Sequence, residues 1–200
     1  AAGGGAASLV PTEVAPPTDA SWDLGVADAM LIRRAHEPPR RKVAAFDMDG
    51  TLLRWTCGGW PSALSDYALW SEAAAEKIRQ LHADGFKIVI LGNRAAVKGA
   101  FHGKNSQKTQ QLANWLAVRI GVPMHAVYAT RKDGPHYKPA TGMWDAMEGN
   151  TNLGQPANLA DSFFVGDMAG RDGDQGNSDR RFAENVGAAR GGTLRFYTPE

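Results

Sequence analysis

Val43-Ala44-Ala45-Phe46-Asp47-Met48-Asp49-Gly50-Thr51-Leu52 is a short apolar run that ends in two aspartates, two positions apart, followed by a Gly-Thr turn. Consecutive apolar residues without a polar alternate predict a strand buried on both faces, the pattern of a parallel sheet covered by helices. The turn begins where the apolar run stops, so both aspartates fall at the strand's carboxyl end. Parallel α/β sheets bind their ligands at that edge.

Working outward, similar runs recur. Lys87–Leu91 predicts a second strand, Met124–Ala129 a third, Ser162–Val165 a fourth that leads into Gly166-Asp167, and Leu194–Tyr197 a final edge strand. Between them, Ser71–Ala83 reads as a helix capped by Ser71, with Ile78 and Leu81 on its apolar face and Gly85 ending it. Ser106–Ile120 carries Leu112, Trp115, Leu116 and Ile120 at helical spacing and is stopped by Gly121. Thr141–Glu148 predicts a short helix after Pro139, and Asp179–Val186 another with Ser178 as cap. The alternation predicts an α/β fold, a Rossmann-like parallel sheet flanked by helices. Asp47, Gly92-Asn93 and Asp167, from three different strands, then meet at one edge.

Upstream, Ser21–Arg34 is expected to pack on the core as an extra strand, while residues 1–20, rich in Ala, Gly and Pro, read as a disordered lead-in. Residues 21–200 are expected to form one domain. Residues 52–66 read as a long connection, leaving no room for a large cap domain. The site is therefore expected to be open, which suits a large substrate.

Composition narrows the classes. The chain has 200 residues, 43% hydrophobic and 22% charged, as ordinary globular domains do, and no apolar run approaches a membrane span. A lone cysteine, Cys57, excludes an intrachain disulfide and fits a reducing compartment. Net charge is only +1, so any binding of nucleic acid needs a local basic patch. Arg40-Arg41-Lys42, the set Lys98, Lys104 and Lys108, and the set Arg131, Lys132, His136 and Lys138 are such clusters; any one of these cations is by default solvated surface.

Strand-Asp-x-Asp-Gly-Thr, with a second strand-Gly-Asp far downstream, is more than an ordinary turn after a strand. One carboxylate, Asp47, can attack phosphorus while the other, Asp49, protonates the leaving oxygen and later deprotonates water. Asp167 can add a carboxylate to a magnesium site, since Mg2+ prefers oxygen ligands, and Lys138 can neutralise phosphoryl charge.

These residues resemble the haloacid dehalogenase-like superfamily: Phe46-Asp47-Met48-Asp49-Gly50-Thr51-Leu52 matches its first motif and Val165-Gly166-Asp167 its fourth. Within it, the chain is similar to the 3'-phosphatase domain of polynucleotide kinase 3'-phosphatase, from about Trp22 to Glu200. The closer match rests on Tyr137-Lys138-Pro139-Ala140-Thr141-Gly142-Met143-Trp144, on Phe163 through Arg171, and on Ser178 through Gly187. The resemblance implies removal of 3'-phosphate from DNA ends in strand-break repair, through an aspartyl-phosphate on Asp47. It also implies Mg2+ held by Asp47, the backbone carbonyl of Asp49, and Asp167. Lys138 fills the third motif, and Gly92, Asn93 and Lys138 are the expected phosphate contacts. Arg94, Lys98, Arg131, Lys132 and Arg171 are candidate DNA contacts, with Trp60 and Phe101 as candidate stacking platforms. Arg171 can alternatively hold the Asp167 loop, and Asp172 can support the metal site. The resemblance also implies an intracellular location, nuclear or alternatively mitochondrial or in another organelle, with a kinase domain or repair proteins as expected partners outside this chain.

The chain departs from the pattern at the second motif. Val89-Ile90-Leu91-Gly92-Asn93-Arg94 has glycine where a Thr or Ser hydroxyl is usual and arginine where glutamine is usual. One lost hydrogen bond to a charged group costs about 1.5–3 kcal/mol, and Arg94 is expected to compensate by reaching the phosphate. The Thr130–Tyr137 connection is also about one residue longer than the family's, and Tyr137 replaces a basic residue. Two other readings stay open: a phosphomonoesterase for a small metabolite, and a weakly catalytic module that binds DNA ends.

Overall fold

The computed structural model describes residues 20–25, 29–98 and 101–200, so the lead-in expected over residues 1–20 lies outside the described residues except for Ala20. Strands β1 (Ala20–Gly25) and β2 (Met30–Ala35) come first, then β3 (Val43–Phe46), which carries the Asp-x-Asp loop. β4 (Leu53–Trp55) and β5 (Tyr67–Leu69) precede helix α1 (Glu72–Ala83). β6 (Lys87–Asn93), α2 (Lys104–Ile120), β7 (Met124–Ala129) and α3 (Gly142–Ala146) follow. A π-helical turn, Met147–Thr151, extends α3 before β8 (Phe163–Val165), α4 (Ser178–Ala189) and β9 (Arg195–Tyr197).

The seven-stranded sheet has the order β1-β2-β7-β6-β3-β8-β9. β7, β6, β3, β8 and β9 run parallel, as the apolar runs predict. The upstream segment supplies two strands rather than one: β1 pairs antiparallel with β2, and β2 antiparallel with β7. Successive residues of the central strands serve opposite faces, because strand side chains alternate. Ala44, Phe46, Ile88, Ile90, Met124 and Ala126 pack under α1 and α2 with Leu112, Leu116 and Ile120. Val43, Ala45, Val89, Leu91, Val127 and Phe164 pack under α3 and α4 with Met143, Trp144, Phe182 and Val186.

Local signals explain the helix ends. The Ser71 hydroxyl accepts from the Ala74 N–H at 3.0 Å, which satisfies one of the orphan donors of α1. Gly121 ends α2 with a φ of 76°, a left-handed cap suited to glycine. Ser178 is the first helical residue of α4 rather than its cap; Asn177 precedes it and makes no side-chain capping bond. The expected long connection at residues 52–66 contains β4, which pairs with β5 as a small two-stranded flap. Its strands are only three residues long, too short for alternation to be visible. Asp66 shapes the turn between them by accepting from the backbone N–H of Ser62 and Ala63 at 2.7 and 2.9 Å. Among the described residues, no helix is long and apolar enough to cross a membrane.

Candidate active site

β3, β6 and β8 end together, and the loops after them build a cleft of about 660 Å³. The Asp47 N–H donates to the Val165 carbonyl at 2.8 Å, which locks the first loop to the end of β8. Two glycines allow the acidic side chains to converge. Gly50 has a φ of 73°, and a Cβ there would lie 2.5 Å from Asp167 Oδ2. A Cβ on Gly166 would lie 2.4 Å from Asp179 Oδ2. Both distances are shorter than real contacts, so the carboxylates occupy space that only glycine leaves open.

Asp47, Asp167 and Asp179 can each offer an oxygen within 4.8 Å of the others, an arrangement able to hold a divalent cation. Lys138 Nζ lies between two of them, 2.6 Å from Asp47 Oδ1 and 2.6 Å from Asp179 Oδ1. Burial alone would pull this lysine down, but the two carboxylates outweigh it and push it up to about 12. The three carboxylates outnumber their one ammonium. Burial, reinforced by Asp179 and Asp49 and opposed by Lys138, raises Asp47 to about 7. Asp167 rises to about 6, from burial first and then from Asp179. Crowded, desolvated carboxylates of this kind fit a hard dication, whose charge would reverse those shifts.

The expected site residues fall into distinct places. Asp47, Asp49, Gly92, Asn93, Arg94, Lys138, Asp167 and Arg171 all line the cleft. Asn93 accepts from the Lys138 N–H at 2.8 Å and donates to its carbonyl at 3.1 Å, so its amide holds the lysine's backbone. Arg94 pairs with Asp49 instead of facing the open cleft alone. Arg171 donates to the Asp167 carbonyl at 3.3 Å and pairs with Asp174 at 3.1 Å and Glu200 at 2.7 Å, the geometry of a loop brace. Lys98, Arg131 and Lys132 are exposed and do not line the cleft. Asp172 is exposed and stands outside the acidic cluster.

Asp179 takes the place expected of Asp172. It is 1% exposed, and its Oδ2 accepts from the Met168 N–H at 3.1 Å, joining α4 to the Asp167 loop. In the sequence it lies in the Ser178–Gly187 stretch of the family resemblance without an assigned role, as an acidic residue in the first turn of a helix, where helix-end electrostatics already account for it. The flap also contributes. Trp60 is 79% exposed, lines the cleft, and has its ring centroid 5.0 Å from that of Trp55. Phe101, by contrast, packs against the core. Trp115 is a core residue, as its helical spacing predicts, and Trp144 is fully buried.

Several known proteins are similar to this chain. A family model described as polynucleotide kinase 3 phosphatase matches residues 42–200. The chain is 29% identical over 161 residues to the bifunctional polynucleotide phosphatase/kinase of Schizosaccharomyces pombe, a match covering 80% of this chain and 37% of that protein. It is 31% identical over 171 residues to the polynucleotide 3'-phosphatase ZDP of Arabidopsis thaliana, covering 80% of this chain and 23% of that one. The chain thus spans well under half the length of these two relatives. A 20.8 kDa protein from the FGF-VUBI intergenic region of Autographa californica nuclear polyhedrosis virus is 36% identical over 187 residues, covering 90% of this chain and 94% of the viral one. A solved had-like phosphatase from Mesorhizobium loti shares the fold, with a TM-score of 0.63 at 18% identity over 84% of this chain and 79% of that one. On the match over residues 42–200, the chain belongs to the polynucleotide kinase 3 phosphatase family.

Proposed function

We propose that the protein is a magnesium-dependent polynucleotide 3'-phosphatase that removes the phosphate from DNA 3' ends. The observation that carries this reading is the placement of Asp47 beside Asp49 in an open cleft, with Lys138 Nζ 2.6 Å from Asp47 Oδ1. The names of the two cellular relatives support the polynucleotide substrate.

The chemistry follows from the residues. An Asp47 oxygen attacks phosphorus as the bond from phosphorus to the 3' oxygen breaks, leaving an aspartyl-phosphate. Asp49 gives its proton to the departing oxygen, then takes one from the water that attacks the intermediate, which frees inorganic phosphate and Asp47. Lys138 balances charge on the transferred group while Asp179 and Asn93 hold the lysine in place. Asp47, Asp167 and the backbone carbonyl of Asp49 would hold Mg2+, with Asp179 beside them. When bound, the ion supplies charge neutralisation that lets a carboxylate approach a phosphate dianion.

A cleft without a large cap admits a strand end, and Trp60 offers it an exposed ring on which a base can stack. The same reading places the protein in the nucleus or another DNA-containing compartment, acting in strand-break repair beside a kinase domain or other repair proteins. The test is turnover of a 3'-phosphorylated oligonucleotide against p-nitrophenyl phosphate, with and without Mg2+, for the native chain and Asp47→Asn. Mg2+-dependent release from the oligonucleotide, lost in Asp47→Asn, is expected. Efficient turnover of the small ester alone would point to a metabolite phosphatase, and turnover of neither to a module that only binds DNA ends.

A further inference from the structure

Gly92 and Arg94, where this chain departs from its relatives' second motif, form one unit with Tyr128. A Cβ on Gly92 would lie 3.0 and 3.1 Å from two ring carbons of Tyr128. The ring therefore takes the space beside Gly92 that a hydroxyl side chain needs. Tyr128 is fully buried, stacked on Trp22 at a centroid distance of 6.4 Å, and its hydroxyl donates to Met48 Sδ at 3.1 Å. Its face carries the guanidinium of Arg94, 5.8 Å from the ring centroid. The Arg94 backbone is fixed at the end of β6 by its N–H, which donates to the Ala129 carbonyl at 2.7 Å. From there the guanidinium reaches Asp49 and pairs with Oδ2. The other carboxylate oxygen, Oδ1, is buried with no hydrogen-bond partner among the described residues. A buried acceptor left unsatisfied at a cleft is one whose partner a ligand can supply.

We infer that Arg94, seated on the Tyr128 ring that fills the room beside Gly92, is the positioning residue for Asp49: it sets the orientation of the group that moves the proton. This rests on the reading of the cleft as a phosphatase site. In place of a second-motif hydroxyl on the phosphate, the chain has a cation on the proton-transferring carboxylate. The pair is a single charge-assisted contact to Oδ2, and because the Tyr128 face and the Ala129 carbonyl fix where the guanidinium sits, it draws that oxygen to one place. The same contact accounts for glutamine not standing here: a neutral amide would bring no charge to Asp49 and gain little from the ring face.

Leaving-group chemistry separates positioning of Asp49 from contact with phosphate. The 3' oxygen of an oligonucleotide is a poor leaving group and needs a proton; p-nitrophenolate leaves without one. First turnovers are measured by rapid quench for native protein, Arg94→Gln and Arg94→Lys on a 3'-phosphorylated oligonucleotide and on p-nitrophenyl phosphate. The expected result for Arg94→Gln is a fall of about a hundredfold on the oligonucleotide, the size of a lost proton-transfer contribution, with less than about threefold on the aryl ester. Arg94→Lys, which keeps the charge, is expected to recover about tenfold of the oligonucleotide rate. An equal fall on both substrates in both variants overturns the inference in favour of a phosphate contact. An unchanged or faster oligonucleotide rate overturns it outright. In either case native turnover of the oligonucleotide leaves the phosphatase reading standing, whereas absence of native turnover removes both.

Discussion

Binding of Mg2+ should expel protons from this protein, because the site holds its carboxylates above their ordinary range until a cation arrives. Asp47 lies at about 7 and Asp167 at about 6 in the cation-free fold. A group with a raised pKa is partly protonated below that value, and the dication binds only the ionised form, so binding and protonation compete. At pH 6.5 Asp47 is about three-quarters protonated and Asp167 about one-quarter, which amounts to about one proton released per ion. At pH 8.5 both are ionised and almost none is released. Between pH 8.5 and 5.5 the same competition weakens apparent affinity about a hundredfold, with the loss beginning near pH 7.

Isothermal titration calorimetry in buffers of different ionisation enthalpy reads the proton count directly. The slope of observed heat against buffer ionisation enthalpy should be about minus one at pH 6.5, since the buffer takes up the released proton, and near zero at pH 8.5. Asp179→Asn should bring the slope at pH 6.5 closer to zero, since the Asp179 charge helps raise both neighbours. Buffer-independent heats at pH 6.5, with Mg2+ bound, would falsify the claim that burial and crowding perturb these carboxylates. The site would then be ionised beforehand, and Lys138 alone would be enough to hold Asp47 as a nucleophile.

Two further outcomes follow from other parts of the molecule. Gly92→Thr should not restore a faster enzyme: its Cβ meets the Tyr128 ring at 3.0 Å, and overpacking of this kind costs about 1–3 kcal/mol. A lower midpoint in urea with an unchanged or reduced rate is expected, and a rate increase at full stability would sink the packing argument. Acid stability should be governed by the cluster at the other end of the sheet, where Glu37 lies 3.1 Å from His125 and 3.3 Å from Lys87. Burial holds His125 below its ordinary 6.5, so the unfolded chain takes up that proton first and stability falls as pH drops through 6.5. Burial pushes Glu37 up, but its bond to His125 and the charges of Lys87, His125 and Arg40 outweigh it, so Glu37 sits below 4.5 and adds a second loss below that pH. Thermal melts from pH 7 to 4 should show both losses, and Glu37→Gln should remove the lower one; a flat profile would refute this account.

Much of the fold was legible because its central strands are buried on both faces. Val43–Phe46 is an uninterrupted apolar run and Met124–Ala129 is broken only by His125, and the boundaries of both match the structure. The flap was not legible, because three-residue strands carry no period and Leu53–Trp55 pairs with Tyr67–Leu69 across a turn shaped by Asp66. The site divides along the same line. Asp47, Asp49 and Asp167 follow strands directly, so chain order places them at the sheet edge. Asp179 sits in a helix, and what brings it to Lys138 is the missing side chain of Gly166, a relation between two elements that spacing along the chain does not express. Gly92 shows the other side of this. In the sequence it is a missing hydroxyl, a loss to be compensated at the phosphate. In the fold it is the space that a tyrosine from the next strand fills, and that tyrosine carries the arginine that holds Asp49. On the proposed mechanism, the group in the cleft that this arrangement supports is Asp49, the carboxylate that would move the proton.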